Sequence, residues 1–283
     1  MSNETPKKIL EKSPMSGIAV PIAIVLLGAL IVFGITKMLS SGKDYKDLVG
    51  ELQSKTFGNR WVAAFELSKY IASKKIPDQD RPWLLKELTK VYKNTIDERT
   101  KLFVVRAVAA LEDSNSLEIL SEALRTGNNE IKFHATVALV QLKNLEGFDW
   151  SPVLGNAKSG DAGLKQVSLL CLAQKSVQEA ESIILGNLSN EDEIIRYAAA
   201  ASLVYYKNPK SLGVLSKLMS LNSVGQQETG KGLRIEAMQY NALVAIEKNS
   251  WLEAMSLVEE AAVKQENIKI STKARQILNL LKK

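Results

Sequence analysis

A nine-residue unit recurs seven times after residue 43, and this repeat constrains the fold more than any other feature of the chain. The unit reads apolar, basic, two variable residues, alanine, two variable residues, a small residue and leucine. Its clearest copies are residues 131–139 and 195–203. The copies begin 28 to 44 residues apart, at Asn59, Phe103, Ile131, Leu164, Ile195, Leu233 and Ile270. A unit that returns at such intervals is typical of stacked structural repeats.

Each unit has the spacing of an amphipathic helix. Its first, fifth and ninth positions lie on one helical face, and a small fifth residue lets a neighbouring helix approach closely. We expect a helix N-cap three residues before each unit, because only residue types favoured at N-caps occur there. These residues are Thr56, Thr100, Asn128, Asp161, Asp192, Gly230 and Asn267.

Second amphipathic segments lie between the units, and no alternating apolar pattern predicts strands. The segments are residues 45–54, 83–93, 117–125, 180–188, 212–221 and 251–264, with a poorer one at 152–158. Paired helices at this period indicate an all-α fold, in which residues 44–283 form an α-solenoid of about seven helix pairs.

This alternation, together with the Ile-Arg-x-x-Ala-Ala-x-x-Leu core of residues 195–203, resembles HEAT repeats. Val104 and Ser271 depart from the pattern at the basic position, and Asn241 replaces the closing leucine. The resemblance implies a scaffold or adaptor. It also leaves open two minority roles of HEAT-like solenoids, as a cofactor lyase or as a nucleic-acid binder with a basic concave face.

Residues 17–36 form an uncharged stretch of twenty residues, long enough to cross a bilayer as a helix. We predict a short basic tail at 1–16, a transmembrane helix at 17–38 and a linker at 39–43. A cleaved signal peptide is disfavoured, because the apolar stretch is too long and no A-x-A site follows it. A buried soluble helix is disfavoured because nothing after Lys43 would cover it on all sides at a lower free-energy cost than lipid does.

Charge and composition narrow the functions further. Of the net charge of +6, half lies in residues 1–43, so the remaining 240 residues are nearly neutral and nucleic-acid binding is disfavoured. Cys171 and His134 are the only cysteine and histidine, too few for a Cys/His zinc site. Residues 225–232 spell G-x-x-x-x-G-K, but Gly232 stands where a P-loop needs serine or threonine. We interpret this segment as a loop between helices.

Two sets of residues are candidates for binding. The aromatic set, a possible anchor for a partner protein or else part of the core, is Trp61, Phe65, Tyr70, Phe133 and Tyr197. The basic column at the second position of the unit either contacts the phosphates of a nucleic acid or holds neighbouring repeats together, and we favour the structural role. It consists of Arg60, Lys132, Lys165, Arg196 and Arg234.

The sequence therefore predicts a membrane-tethered scaffold for protein–protein interaction, with no intrinsic catalysis, cofactor or metal site. Its partners would be the lipid bilayer, through residues 17–36, and proteins of a membrane complex. The lysines on the two sides of the span nearly balance. The free amino terminus favours a cytoplasmic tail, which would place the solenoid in the periplasm of a bacterium, tethered to the inner membrane. The alternatives are a HEAT-like lyase acting on a protein-bound cofactor and a nucleic-acid-binding solenoid.

Overall fold

The computed structural model describes residues 43–54, 60–73, 76–221 and 230–281. The chain divides into two compact units, residues 1–48 and residues 49–283. The predicted tail, transmembrane helix and all but the last residue of the linker lie outside the described residues, so the membrane anchor stays a prediction. Among the helices that are described, none is both long and apolar enough to cross a bilayer.

Fourteen α-helices and no β-strand occur in the described part of the chain, which confirms the all-α prediction. They follow one another along the chain as seven pairs. The first helix of the fourth pair, Ser151–Asn156, has only six residues and lies where the sequence pattern is poorest. The helices are α1 Tyr45–Gln53, α2 Arg60–Ala72, α3 Arg81–Asn94, α4 Glu98–Leu111, α5 Leu117–Thr126, α6 Asn129–Gln141, α7 Ser151–Asn156, α8 Ala162–Gln174, α9 Ala180–Gly186, α10 Glu193–Leu203, α11 Leu212–Ser220, α12 Gly230–Asn249, α13 Met255–Lys264 and α14 Ile268–Leu281.

The second helices of the pairs stack on one another within residues 49–283. Each even-numbered helix from α2 to α12 packs against the next even-numbered helix, and α3 packs on α5 as α11 packs on α13. Apolar side chains fill the space between them, and the largest fully buried ones include Leu67, Leu88, Leu120, Leu139 and Leu172. This arrangement of two helical layers is the predicted solenoid.

Four of the predicted N-caps are confirmed. The side chains of Asn128, Asp161, Asp192 and Asn267 each accept a hydrogen bond from a backbone N–H in the first turn of the following helix. Thr56 lies outside the described residues, and Gly230 is the first residue of α12 instead of its cap.

The predicted cap Thr100 is wrong, because α4 begins one turn earlier. The Asp97 carboxylate accepts the N–H of Thr100 at 3.0 Å and caps the helix. Counted from this cap, the three core positions of the unit are Thr100, Val104 and Val108, all fully buried. Lys101 then fills the basic position that seemed to be missing at Val104, and Phe103 moves off the core face.

The predicted register of α12 is also wrong, by two residues. Leu233 is 55% exposed, whereas Ile235, Gln239 and Leu243 are buried at the first, fifth and ninth positions. Gln239 replaces the usual small residue, and its Nε2 donates hydrogen bonds to the carbonyl oxygens of Leu218 at 2.8 Å and Leu221 at 2.9 Å. The side chain therefore ties α12 to the end of α11, where the last carbonyls of a helix need donors.

Candidate functional site

Three aromatic side chains from two stacked helices meet at the surface. The ring centroids of Trp61 on α2 and Phe103 on α4 lie 6.4 Å apart in a stacked arrangement, with their planes inclined by 29°. Phe65, one turn after Trp61, meets Phe103 edge to face at 5.2 Å. Trp61 and Phe65 are each 37% exposed and Phe103 is partly buried. A large apolar surface therefore remains open to solvent on these neighbouring helices.

Three cations lie over these rings. The Arg99 guanidinium is 5.9 Å from the Trp61 ring, that of Arg106 is 5.6 Å from Phe103, and the Lys69 ammonium is 5.1 Å from Phe65. Cation–π contacts of this kind hold the charges close to the rings. We call these six residues, Trp61, Phe65, Lys69, Arg99, Phe103 and Arg106, the aromatic–cationic face.

The positive charge of the face is only partly neutralised by the protein itself. Lys69 pairs with Glu66 at 3.5 Å, an exposed pair that contributes little to stability. Arg99 and Arg106 are exposed, and neither forms an ion pair with a carboxylate of the described residues. Two guanidinium groups therefore stand beside exposed rings, ready to bind an external carboxylate.

The face continues onto α6 through His134. Partial burial, followed by the positive charge of Arg106, lowers the pKa of His134 below its ordinary value of 6.5. The predicted anchor Phe133 is partly buried and its ring meets the His134 imidazole edge to face at 5.3 Å. Equivalent surfaces of three consecutive second helices, α2, α4 and α6, thus carry aromatic and basic groups side by side.

Two of the predicted aromatic anchors do not join this face. Tyr70 is partly buried and lies about 180° around α2 from Trp61, given ~100° per residue. Tyr197 is only 5% exposed, and its hydroxyl donates a hydrogen bond to Glu193 Oε1 at 2.7 Å. Burial, followed by this hydrogen bond, raises the pKa of Tyr197 to about 12. Tyr197 therefore packs in the core of its repeat.

The basic column divides into members with internal partners and members without. Arg60 Nε donates to the carbonyl oxygen of Ser54 at 2.7 Å, and Arg196 Nη1 donates to those of Asn190 at 2.7 Å and Glu191 at 2.9 Å. Both arginines tie down the loop before their own helix, as the structural interpretation predicts. Lys132 and Lys165 are partly buried and have no such bond within the described ranges.

Arg234 does not belong to the column. The corrected register of α12 places Glu236 at the basic position, and Arg234 is exposed. Glu236 accepts hydrogen bonds from Lys269 Nζ and Asn267 Nδ2, both at 3.0 Å, and so links α12 to the start of α14.

The described residues offer few groups for nucleophilic, nucleotide-binding or metal chemistry. Cys171 is fully buried, and desolvation raises the pKa of its thiol to about 12, so it is not a nucleophile in the folded chain. Residues 225–229 of the P-loop-like segment lie outside the described residues, and Lys231 pairs with Glu193 at 3.3 Å. Within the ranges that are described, no three His, Cys, Asp or Glu side chains cluster as metal ligands would.

Phe103 is the one ring of the face that sequence reasoning missed, and the three cations Lys69, Arg99 and Arg106 were missed as well. The mistaken cap at Thr100 assigned Phe103 to the first, buried position of its unit. The sequence held the signal, since Asp97 precedes Thr100 by the three residues that separate a capping side chain from the N–H it accepts. Correct placement of that cap would have aligned Phe103 with His134.

The fold is shared with solved structures of low sequence identity. A chain in the complex of CpcE and CpcF of phycocyanin lyase from Nostoc sp. PCC7120 is 16% identical, with a TM-score of 0.56 over 85% of this chain and 94% of that chain. YibA of E. coli is 14% identical, with a TM-score of 0.56 over 85% of this chain and 83% of that one. The chain's sequence matches no family model and no curated protein. These likenesses define the fold as a HEAT-like helical solenoid.

Proposed function

We propose that this chain is a protein-binding scaffold, tethered to a membrane by residues 17–36, and that its partner binds the aromatic–cationic face. The observation that carries the proposal is the exposed stack of Trp61, Phe65 and Phe103 with Arg99 and Arg106 beside it. Tryptophan and arginine are the residue types that contribute most to binding energy in protein interfaces.

The chemistry of the face specifies the partner. Apolar ring surface favours a segment that buries aliphatic or aromatic side chains, and the two unneutralised guanidinium groups favour carboxylates next to them. The partner segment is therefore acidic and apolar. Nucleic acid would also place anions near stacked rings. The near neutrality of the 240 residues after residue 43 supports a protein partner instead, because binding along phosphates draws on a broad basic surface.

The proposed tether explains why a modest interface would be enough. A solenoid held at the membrane meets the proteins of that membrane at a raised effective concentration, and the second contact becomes an intramolecular event. A scaffold of this kind needs no catalytic group. We place the partner in a membrane complex.

Site-specific photocrosslinking in cells tests the proposal. A photoreactive amino acid replaces Trp61 in one strain and Trp83 in another, since both tryptophans are nearly equally exposed, at 37% and 38%, but Trp83 lies on α3 away from the face. We expect a discrete crosslinked protein from position 61 and none from position 83. Equal adducts from both positions, or none from position 61, would contradict the proposal.

The captured protein is then purified, and its affinity is measured for the full chain and for three variants. Trp61→Ala and Arg99→Glu should each weaken binding about tenfold or more, because they remove a ring and reverse a charge at the centre of the interface. Trp83→Ala should change the affinity less than about twofold. Tight binding that falls steeply with salt and is shared by nucleic acid would instead indicate phosphate contacts.

A second candidate function is a cofactor lyase, and the likeness to a chain of the phycocyanin lyase complex favours it. At 16% identity that likeness supports the fold and leaves the activity as a proposal. The test is direct, because a bound chromophore absorbs visible light. Purified full-length chain mixed with such a pigment would show a shifted absorption band if the lyase proposal holds and the spectrum of the free pigment if it fails.

A further inference from the structure

A groove of about 480 Å³ opens between the third and fourth helix pairs, away from the six residues of the aromatic–cationic face. Its walls come from the end of α5, the start of α6, the short helix α7 and the start of α8. The apolar part of the lining includes Leu124, Pro152 and Leu164, and the polar part includes Arg125, Lys132, Asn156 and Ser159.

The charge of this lining has one sign. Lys132 and Arg125 both line the groove, and no carboxylate of the described residues does. Arg125 is paired with Glu122 outside the groove, whereas the Lys132 ammonium has no hydrogen-bond or ion-pair partner within the described ranges. Lys132 occupies the same position of its unit as Arg60 and Arg196, whose guanidinium groups are held by loop carbonyls. In this repeat the cation of the basic column is therefore available to bind a ligand.

A buried amide in the lining indicates which kind of ligand the groove would bind. Asn156 is only 8% exposed, and its Nδ2 is buried with no acceptor among the described residues. A buried donor without a partner costs about 1–3 kcal/mol, so such a group is normally satisfied. The Ser159 hydroxyl accepts the N–H of Asp161 at 3.1 Å and keeps its own hydrogen for donation. The groove lining therefore holds an ammonium and a hydroxyl that can donate, next to an amide whose N–H donors lack an acceptor, and all three side chains favour an acceptor with negative charge.

We propose that the groove binds an amphipathic oxyanion, a small apolar group that ends in a carboxylate or a phosphate. The oxyanion accepts hydrogen bonds from Lys132 Nζ and Asn156 Nδ2, and its apolar part lies on Leu124 and Leu164. The volume suits a ligand of a few to a few dozen atoms. This site is separate from the proposed docking face and does not depend on it.

Four probes separate the parts of this proposal by ligand-observed NMR on the full chain in detergent. N-acetyl-leucine carries a carboxylate and an apolar body, N-acetylleucinamide lacks the charge, hexyl phosphate offers the other oxyanion, and inorganic phosphate lacks the apolar body. We expect the first and third to bind, and the tighter of the two identifies the natural source of the oxyanion. The amide and inorganic phosphate should each bind about tenfold more weakly or worse.

Lys132→Met tests the position of the site, and Lys165→Met is its matched control, because Lys165 holds the same place in the next unit but does not line the groove. We expect Lys132→Met to weaken binding of both oxyanions about tenfold or more and Lys165→Met to leave it within about twofold. Asn156→Asp, nearly the same size, should also weaken binding, by repulsion.

Three results would overturn the proposal. The first is an amide that binds as tightly as the acid, and the second is a folded Lys132→Met variant, judged by circular dichroism, that binds as the wild type does. The third is the absence of binding by either amphipathic oxyanion up to about 10 mM, where even a weak site would be occupied.

Discussion

At the scale of single residues, His134 is the natural reporter of the aromatic–cationic face, since it is the only histidine in the chain. Burial and the neighbouring Arg106 lower its pKa below 6.5. We predict that the single imidazole signal in a proton NMR titration has its midpoint below pH 6.5. In Arg106→Gln the midpoint should rise, while Arg125→Gln, on another surface, should leave it in place. An unchanged midpoint in Arg106→Gln would show that Arg106 does not lower the pKa of His134, and it would contradict the prediction.

The same shift sets the direction of a pH effect on stability. Because the folded chain holds this imidazole at a lower pKa than the unfolded chain does, the unfolded state takes up the proton first on acidification. The contribution of His134 to the free energy of unfolding is therefore complete above about pH 6.5, its ordinary pKa. It falls as the pH drops from that value through the folded pKa. A bound acidic segment would act in the opposite direction and raise the midpoint.

At the scale of secondary-structure elements, the tight connection between α5 and α6 depends on Gly127. A Cβ built on Gly127 would come within 2.6 Å of the Ala123 carbonyl oxygen and 2.5 Å of the Ile131 side chain. We predict that Gly127→Ala lowers the free energy of unfolding by about 1–3 kcal/mol, because backbone and core must shift. Gly213→Ala is the control, since Gly213 has open space around it inside α11 and should gain about 0.5–1 kcal/mol. Chemical denaturation measures both, and equal effects would refute the steric reason.

The helices themselves were readable from the sequence because caps and apolar spacing agree locally. Asn128, Asp161 and Asp192 fixed the start of three helices, and the regular units that follow them have their predicted core positions buried. The reading failed where a helix begins earlier than its unit suggests, at α4 and α12. In α12 the fifth position holds Gln239, whose buried hydrogen bonds to α11 depend on a neighbouring helix that local spacing does not reveal.

The candidate site was harder to predict than the fold. The sequence predicts Trp61 and Phe65 as anchors, but their exposure depends on which side of α2 the next helix covers. Arg99 and Phe103 belong to the face only because α4 stacks on α2, and contacts between residues 38 or more positions apart in the chain leave no local pattern. Tyr197 shows the converse. It holds the third position of its unit, as Trp61 does, but its aromatic ring is buried.

At the scale of the whole molecule, the solenoid makes a site by repetition. Because α2, α4 and α6 stack in order, side chains at neighbouring unit positions form a continuous surface without any loop to carry them. Such a surface is extended and shallow, which suits a chain segment better than a small substrate. The groove at Lys132 arises for a different reason. The six-residue helix α7 covers less of its neighbours than a longer first helix would.

The topology of the proposed membrane anchor depends on lysines that nearly balance on the two sides of residues 17–36. We predict that protease digests the solenoid in intact spheroplasts without detergent, which places it outside the cytoplasm. The balance should be adjustable, because positive charge near a span favours the cytoplasmic side. Substitution of Lys7, Lys8 and Lys12 by glutamine should protect part of the chain from protease. The matched triple substitution of Lys37, Lys43 and Lys46 should make digestion more complete. Protection of the wild-type chain until detergent is added would reverse the topology, and the acidic partner would then have to be sought in the cytoplasm.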